Sequence, residues 1–423
     1  MKLPNRRDAK PVKRQTKTHF KPGQILTAVK IIDLSDDGHG VAKLEGKTLF
    51  VDHAVPGDQV TLQISDDLPS YAQAKLVAIE QPSNDRTTPF CAIYEACGGC
   101  QLQHLSIAAQ RHWKQQHLML ALSKLQPQPS IQWHDTPNTP DRAYRRRAKL
   151  ILGRDWQDQS PLLGFRSPQS HQLVDVAECP ILAKPLNQQL VQQRPQWLAE
   201  ASARNQTLWL TAGDEQTLTK LGDHSHDATT KDASTQMSCY RLLDLKFYFS
   251  VTSFIQVNQA VNEQLVAQTL NWLALTPQTR VIDFFAGIGN FSLPLAQRSA
   301  AVLGLEGNAE AVTLAKHNAQ ANNLRNVEFL MSNLFDEPDQ QAWWSWTADS
   351  AVLDPGRAGA EALCEKLGKT QLKRVVYVSC HPGTLIRDLR LLIAQGFVIA
   401  QAQQFDMFSH TKHIESLILL TRL

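Results

Sequence analysis

Residues 281–296 read VIDFFAGIGNFSLPLA: an apolar run, a glycine-bearing turn and a second apolar run. The first run has the length and composition of a buried strand. Gly287 and Gly289 let the chain turn tightly and let a ligand approach the backbone. The second run opens a helix, whose first N–H groups have no partner inside the helix. Glu306 closes the next apolar run, 19 residues after Gly287, where a carboxylate can accept from ribose hydroxyls. Two ligands suit this pattern, NAD and S-adenosylmethionine. The dinucleotide fingerprint asks for a third glycine at position 292, where Ser292 stands. That favours S-adenosylmethionine, which has no pyrophosphate to cradle.

Outward from this unit, the chain after Phe254 alternates short apolar runs with helical stretches. RVIDFF, AVLGLE, VEFLMS, SAVLD and RVVYVSC are the expected strands; GNFSLPLAQR, NAEAVTLAKHNAQANN and GTLIRDLRLLIAQG are the expected helices. The alternation predicts a mostly parallel sheet with helices on both faces. Ligands in such sheets bind beyond the carboxyl ends of the strands. Cys380 ends the run VVYVSC, and Asp354 ends the run before it. A thiol there is either a small buried hydrophobe or a nucleophile.

Upstream, residues 24–80 alternate apolar runs with Gly, Pro and Asp, the spacing of a small β-barrel. Residues 81–255 are mixed, with a helix expected over Ser106–Leu125 and strands in AKLILG and SPLLGFR. A polar loop lies between residues 223 and 236. Within CAIYEACGGCQLQHL, Cys91, Cys97 and Cys100 fall inside ten residues. No secretory signal or membrane-spanning run is visible, so the chain reads as cytosolic, where thiols stay reduced. Seven cysteines are also an odd number for full pairing. A metal site, a catalytic site or both are the better readings of the cluster. Net charge is only +3, but residues 1–21 hold eight Lys and Arg against Asp8 alone. Such a tail is either a flexible, disordered end or a phosphate-holding arm. Arg142, Arg145, Arg146, Arg147 and Lys149 form a second basic run, which is either a solvated face or a grip on phosphates, with Tyr144 as a stacking surface.

FIQVNQAVNEQL, VIDFFAGIGNF, LDPGRAGA, VVYVSCHPGTLIRDL and HIESLILL, in this order, resemble the RNA uracil-5-methyltransferases. CGGCQLQHL, with Cys91 before it and Cys179 of AECPIL after it, resembles the iron–sulfur branch of that family, and the N-terminal β segment resembles a TRAM domain. The resemblance implies a Rossmann-like class I methyltransferase domain at 256–423, a central iron–sulfur α+β domain at 81–255, an OB-like TRAM barrel at 21–80 and a basic disordered tail at 1–20. It implies Cys380 as nucleophile, Glu415 as base and Asp354 at the active centre. Gln256, Phe285, Asn290, Glu306, Asn333 and Asp354 are implied to hold S-adenosyl-L-methionine. Cys91, Cys97, Cys100 and Cys179 are implied to hold a [4Fe–4S] cluster, although four thiolates also suit zinc. The implied substrate is 23S ribosomal RNA at uridine 1939, modified by a cytoplasmic monomer. His381, Gly383 and Ala286 depart from the family's usual Asn, Ala and Cys. His410 and His413 are rivals to Glu415 as base, each with a structural role as its plainer reading.

Overall fold

The computed structural model describes residues 20–125, 131–168, 170–223 and 236–422. The basic tail, except for residue 20, and the polar loop at 224–235 lie outside the described residues. Two compact units divide the chain. One takes residues up to Thr88 together with His104–Ser106; the other takes Pro89–Gln103 and everything from Ile107 onward.

The first unit holds β1 (Ile25–Lys30), β2 (Asp33–Leu34), β3 (Gly40–Leu44), β4 (Lys47–Val51), β5 (Gln59–Asp67) and β6 (Tyr71–Gln81). They form one six-stranded sheet in the order β1-β5-β6-β4-β3-β2. Alternate residues such as Leu49 and Val51 of β4, Val60, Leu62 and Ile64 of β5, and Ala72 and Ala74 of β6 share one core. No helix covers that face among the unit's described residues. The sheet therefore buries its apolar face against itself, as small barrels do.

The second unit begins with α1 (Ile107–Ser123) and β7 (Gln132–His134). A five-stranded antiparallel sheet follows, built from β8 (Arg147–Arg154), β9 (Pro161–Arg166), β10 (Leu173–Asp175), β11 (Gln206–Ala212) and β12 (Thr217–Asp223) in the order β10-β9-β8-β11-β12. Its apolar face packs on α2 (Lys184–Ala199) through Leu186, Leu190 and Trp197. The hairpin of β13 (Met237–Leu242) and β14 (Leu245–Ser250) packs Tyr240, Phe247 and Phe249 into the core of the sheet that comes next.

That sheet is built from α3 (Gln259–Leu273), β15 (Arg280–Phe284), α4 (Ser292–Ala296), β16 (Ala301–Glu306), α5 (Ala309–Ala321), β17 (Val327–Met331), β18 (Ser350–Leu353), α6 (Glu361–Cys364), β19 (Arg374–Ser379), α7 (Pro382–Ala394), β20 (Val398–Phe405) and β21 (Glu415–Thr421). Its strand order is β17-β16-β15-β18-β19-β21-β20-β7. β15 to β19 run parallel, and β21 is antiparallel to both its neighbours. Buried strands alternate their faces. Val352, Val376, Val378, Leu417 and Leu419 meet the α3–α5 side; Ala351, Leu353, Val375, Tyr377, Ile418 and Leu420 meet the α1, α6 and α7 side. The chain runs from β15 out to β17, then returns to β18 on the other side. The reversal leaves a crevice between the carboxyl ends of β15 and β18, where open α/β sheets bind their ligands. Among the described residues, no helix is long and apolar enough to cross a membrane.

Candidate active site

Sheet order sets the residues singled out by sequence along one edge. Asn333 follows β17, Glu306 ends β16, Phe285 follows β15, Asp354 follows β18 and Cys380 follows β19. Glu415 opens β21, whose antiparallel course brings its first residue to the same edge. Ser379 pairs with Ser416, so Cys380 and Glu415 stand one step further along the same ladder.

The glycine turn is shaped for a ligand. Phe285, Gly287 and Gly289 all take positive φ, at 66°, 55° and 97°. A side chain at Gly287 would enter open space, whereas one at Gly289 would strike Leu293. One glycine thus leaves room for a ligand, and the other allows close packing of helix on turn. Glu306 braces the turn: Oε2 accepts from the Gly287 amide at 3.0 Å and Oε1 from the Asn308 amide at 2.8 Å. Phe335, 58% exposed, stands 5.9 Å from the Phe285 ring. Sequence reading missed Phe335; its only signal was an aromatic two residues after Asn333.

Asp354 connects the two halves of the edge, accepting from Gln256 Nε2 at 3.4 Å. Burial pushes Asp354 up to about 7. Asp283, within β15, is pushed to about 7 by burial, with the Asp354 and Glu306 charges adding to it. Burial, then the charges of Glu415 and Asp354, pushes the Cys380 thiol up to about 11, opposed by Arg357. Glu415, 3% exposed, is raised well above the carboxylate range by burial and by Asp354. Burial thus raises the acidic groups gathered along this edge, and their charges raise one another further.

Two expected residues face elsewhere. Asn290 exchanges amide hydrogen bonds with Asn262 at 2.9 and 3.0 Å, beneath the turn. Asn333 binds Asp336 and the Phe335 amide within its own exposed loop. Of the rival histidines, His410 is buried between Gln110 (3.1 Å) and Asp141 (3.0 Å), a satisfied structural position. Burial and Arg357 push His413 down to about 4, and Arg357 Nη2 lies 3.2 Å from its Nε2.

With this geometry in view, the family model described as tRNA (Uracil-5-)-methyltransferase matches residues 239–423, and the TRAM domain matches residues 20–77. A Vibrio cholerae protein named 23S rRNA (uracil(1939)-C(5))-methyltransferase RlmD is 40% identical, covering 93% of this chain and 95% of that one. A Pectobacterium carotovorum protein of the same name is 38% identical, covering 97% and 96%. The chain belongs to the RNA uracil-5-methyltransferase family. The crystal structure of a Pyrococcus abyssi tRNA (uracil-54, C5)-methyltransferase with S-adenosyl-L-homocysteine shares the fold, with a TM-score of 0.73, 24% identity and coverage of 93% of this chain and 99% of that one.

The four cysteines singled out by sequence lie together. Cys91, Cys97, Cys100 and Cys179 are all free thiols and line one cavity of about 420 Å³. Burial pushes Cys100 up to about 12 and also raises Cys97 and Cys179, and the thiols raise one another further. The Gly99 amide points to Cys97 Sγ at 3.4 Å. As the side chains stand, no group of three or more His, Cys, Asp or Glu is arranged to hold a metal ion among the described residues.

The basic run behaves differently from a uniform grip. Tyr144 is buried, with its hydroxyl donating to Ser409 O at 3.0 Å, so it is no stacking surface. Arg146 is buried over the Tyr240 ring, and Arg142 is stacked on Phe90 at 3.8 Å. Strand alternation in β8 turns Ala148 and Leu150 inward and leaves Lys149 exposed beside Trp209.

Proposed function

We propose that the protein methylates carbon 5 of a uridine in 23S ribosomal RNA, at the position named in its relatives, with S-adenosyl-L-methionine as donor. The observation that carries this reading is the placement of Cys380 and Glu415 just beyond the Ser379–Ser416 pair of β19 and β21, with the Glu415 and Asp354 charges acting on the thiol. Carbon 5 of uracil is a poor nucleophile. The Cys380 thiolate adds to carbon 6, forming an S–C bond and moving the ring's π electrons into an enolate. Carbon 5 is then able to attack. The cofactor would supply an electrophilic methyl group there, whose carbon–sulfur bond breaks as the methyl passes to carbon 5 and S-adenosyl-L-homocysteine leaves. Glu415 next takes the proton left on carbon 5; the C5=C6 bond re-forms and Cys380 leaves as thiolate.

Gln256, Phe285, Asn290, Glu306, Asn333 and Asp354 are assigned to the cofactor. The common edge of Phe285, Glu306 and Asp354 and the Gln256–Asp354 contact support this, whereas Asn290 is engaged with Asn262 and Asn333 with its own loop. The target base must leave its stack to reach Cys380, which costs a few kcal/mol and favours looped RNA. The TRAM segment and the basic tail are assigned to RNA, and the cytoplasm is the site of action.

Cys91, Cys97, Cys100 and Cys179 are assigned to a [4Fe–4S] cluster that fastens the glycine-bearing loop to the central sheet. Their shared cavity and the amide aimed at Cys97 Sγ support this, since thiolate clusters are tuned by such amides. Protein purified without oxygen should be brown, with about four irons per chain. Colourless, active protein with stoichiometric zinc would reject the cluster. Methyl transfer from labelled cofactor should appear on a fragment of 23S ribosomal RNA and vanish with Cys380→Ala. Label on transfer RNA in its place would move the assignment to a tRNA uridine.

A further inference from the structure

β16 ends in Glu306, and an aromatic ring approaches from the strand on each side of it. Phe285 follows β15, and Phe335 lies in the loop after β17. The ladders set Leu305 opposite Phe284 and Glu306 opposite Met331, so both segments leave the sheet level with Glu306. Their two rings come within 5.9 Å, inclined at 57°. Phe335 is nevertheless more than half exposed.

The loop holds it there. Leu334, the residue before, is buried in the core on the α1, α6 and α7 side. The Ser332 amide donates to Glu306 O at 2.9 Å, and Trp343 Nε1 donates to Ser332 Oγ at 2.8 Å. Asn333 closes the turn: its Oδ1 accepts from the Phe335 amide at 3.2 Å, and its Nδ2 donates to Asp336 at 2.9 Å. A side-chain oxygen that accepts from the backbone two residues on fixes the turn between them. Asn333 thus uses both ends of its amide to present a phenyl ring at the ligand-binding edge.

That ring suits one part of S-adenosyl-L-methionine. Ribose hydroxyls ask for polar partners and a sulfonium asks for negative charge, and Glu306 and Asp354 stand along the same edge for these. A purine asks for an aromatic face, which is what a phenyl ring offers. The target uracil is out of its reach: Cys380 follows β19, four strand spacings from β17, or roughly 19 Å.

We propose that Phe335 stacks on the purine of the cofactor, and that Asn333 is a positioning residue that serves the cofactor through Phe335 rather than by touching it. The proposal rests on the reading of this edge as the S-adenosyl-L-methionine site.

The test is calorimetric and needs no methyl transfer. S-adenosyl-L-homocysteine and adenosine are titrated into the full-length protein and its variants. Phe335→Ala should weaken both by about tenfold, the equivalent of one stacked base, because the contact lies on the adenosine half that they share. The melting temperature of the ligand-free protein should hardly change, since the side chain is exposed. Phe335→Tyr keeps the ring and should bind like the wild type. Asn333→Ala should weaken both ligands by about threefold, and adding it to Phe335→Ala should weaken them no further. An additive loss in the double variant would put Asn333 on the cofactor itself and overturn its positioning role. Unchanged affinities in Phe335→Ala overturn the stacking; if that variant loses affinity for the 23S fragment in their place, the ring belongs to an RNA base. Failure of the wild type to bind S-adenosyl-L-homocysteine would sink the cofactor reading itself, and the proposal with it.

Discussion

Cys380 and Glu415 stand side by side, and the two should fail in different ways. Cys380→Ala removes the atom that adds to uracil. Methyl transfer should fall by at least about a thousandfold, and no covalent RNA adduct should form. Glu415→Gln keeps the shape and removes the base. Addition and methylation can proceed, but the proton on carbon 5 stays. Label from the cofactor should then migrate with the protein on denaturing gels; normal turnover of Glu415→Gln would transfer the role of base to His413. Asp354 carries a pH prediction. Its carboxyl is raised from 3.8 to about 7 by burial. Between those values the native protein holds a proton that the unfolded chain has lost, so this group makes the free enzyme less stable as pH rises toward 7. A cationic cofactor beside Asp354 prefers the ionised form. Its affinity should therefore fall by about tenfold per unit as pH drops below 7, and its thermal stabilisation of the protein should grow from pH 6 to 8. A flat calorimetric affinity across that range would remove Asp354 from the cofactor site.

Between β20 and β21, residues 406–414 deliver Glu415 to the edge, and bonds from α1 and from the cysteine loop hold that segment. Lys114 of α1, fully buried, meets Asp406 at 2.7 Å and Phe408 O at 3.1 Å. Arg111 reaches Asp406 at 3.1 Å. Burial opposes ionisation of Asp406, yet Lys114, Ser409 and Arg111 hold its carboxyl below the ordinary range. The Gln101 and Leu102 amides, just past Cys100, donate to the His410 carbonyl at 2.9 and 3.0 Å, and His410 sits at φ 65°. The cysteine loop thus touches the segment leading to Glu415. Lys114→Met leaves Asp406 buried without its ammonium and should cost about 3–5 kcal/mol in denaturant unfolding at neutral pH. Cofactor affinity should change far less than turnover, because Gln256 and Glu306 lie on other elements. An effect below about 1 kcal/mol would mean that Arg111 alone sustains the loop. None of this clamp was legible in the sequence, since Lys114 reads as one more polar residue in α1 and its partner lies 292 positions away. The sheet was legible for the opposite reason. SAVLD and RVVYVSC are apolar runs because both faces of the sheet are covered, and they end at Asp354 and Cys380, where full burial ends. Arg146 and Tyr144 misled because β8 and the turn before it face a core that local composition does not reveal.

At the scale of the whole chain, charge is divided by segment. Lys and Arg number 43 against 40 Asp and Glu, so no net field steers RNA. Residues 1–19 carry seven Lys and Arg against one acid, whereas residues 20–88 carry six against ten. The TRAM unit is therefore acidic, and an acidic barrel does not release counterions from RNA. What it offers is apolar and aromatic surface: Phe50 and Tyr71 pair at 5.3 Å, and Ile25, Ile32 and Val77 are half exposed or more. Base stacking of that kind depends little on salt. The two parts of the N-terminal region should accordingly separate in one experiment. Deleting residues 1–19 should lower the slope of log RNA affinity against log salt by several units, since each phosphate neutralised contributes about 0.7 to 0.9. Deleting residues 1–80 should weaken binding further at every salt concentration but leave that slope where the shorter deletion put it. Cofactor binding should survive both, because Gln256, Glu306 and Asp354 belong to the second unit. A slope that does not move when residues 1–19 are removed would locate the ionic grip in the second unit, at exposed cations such as Arg142 and Lys149.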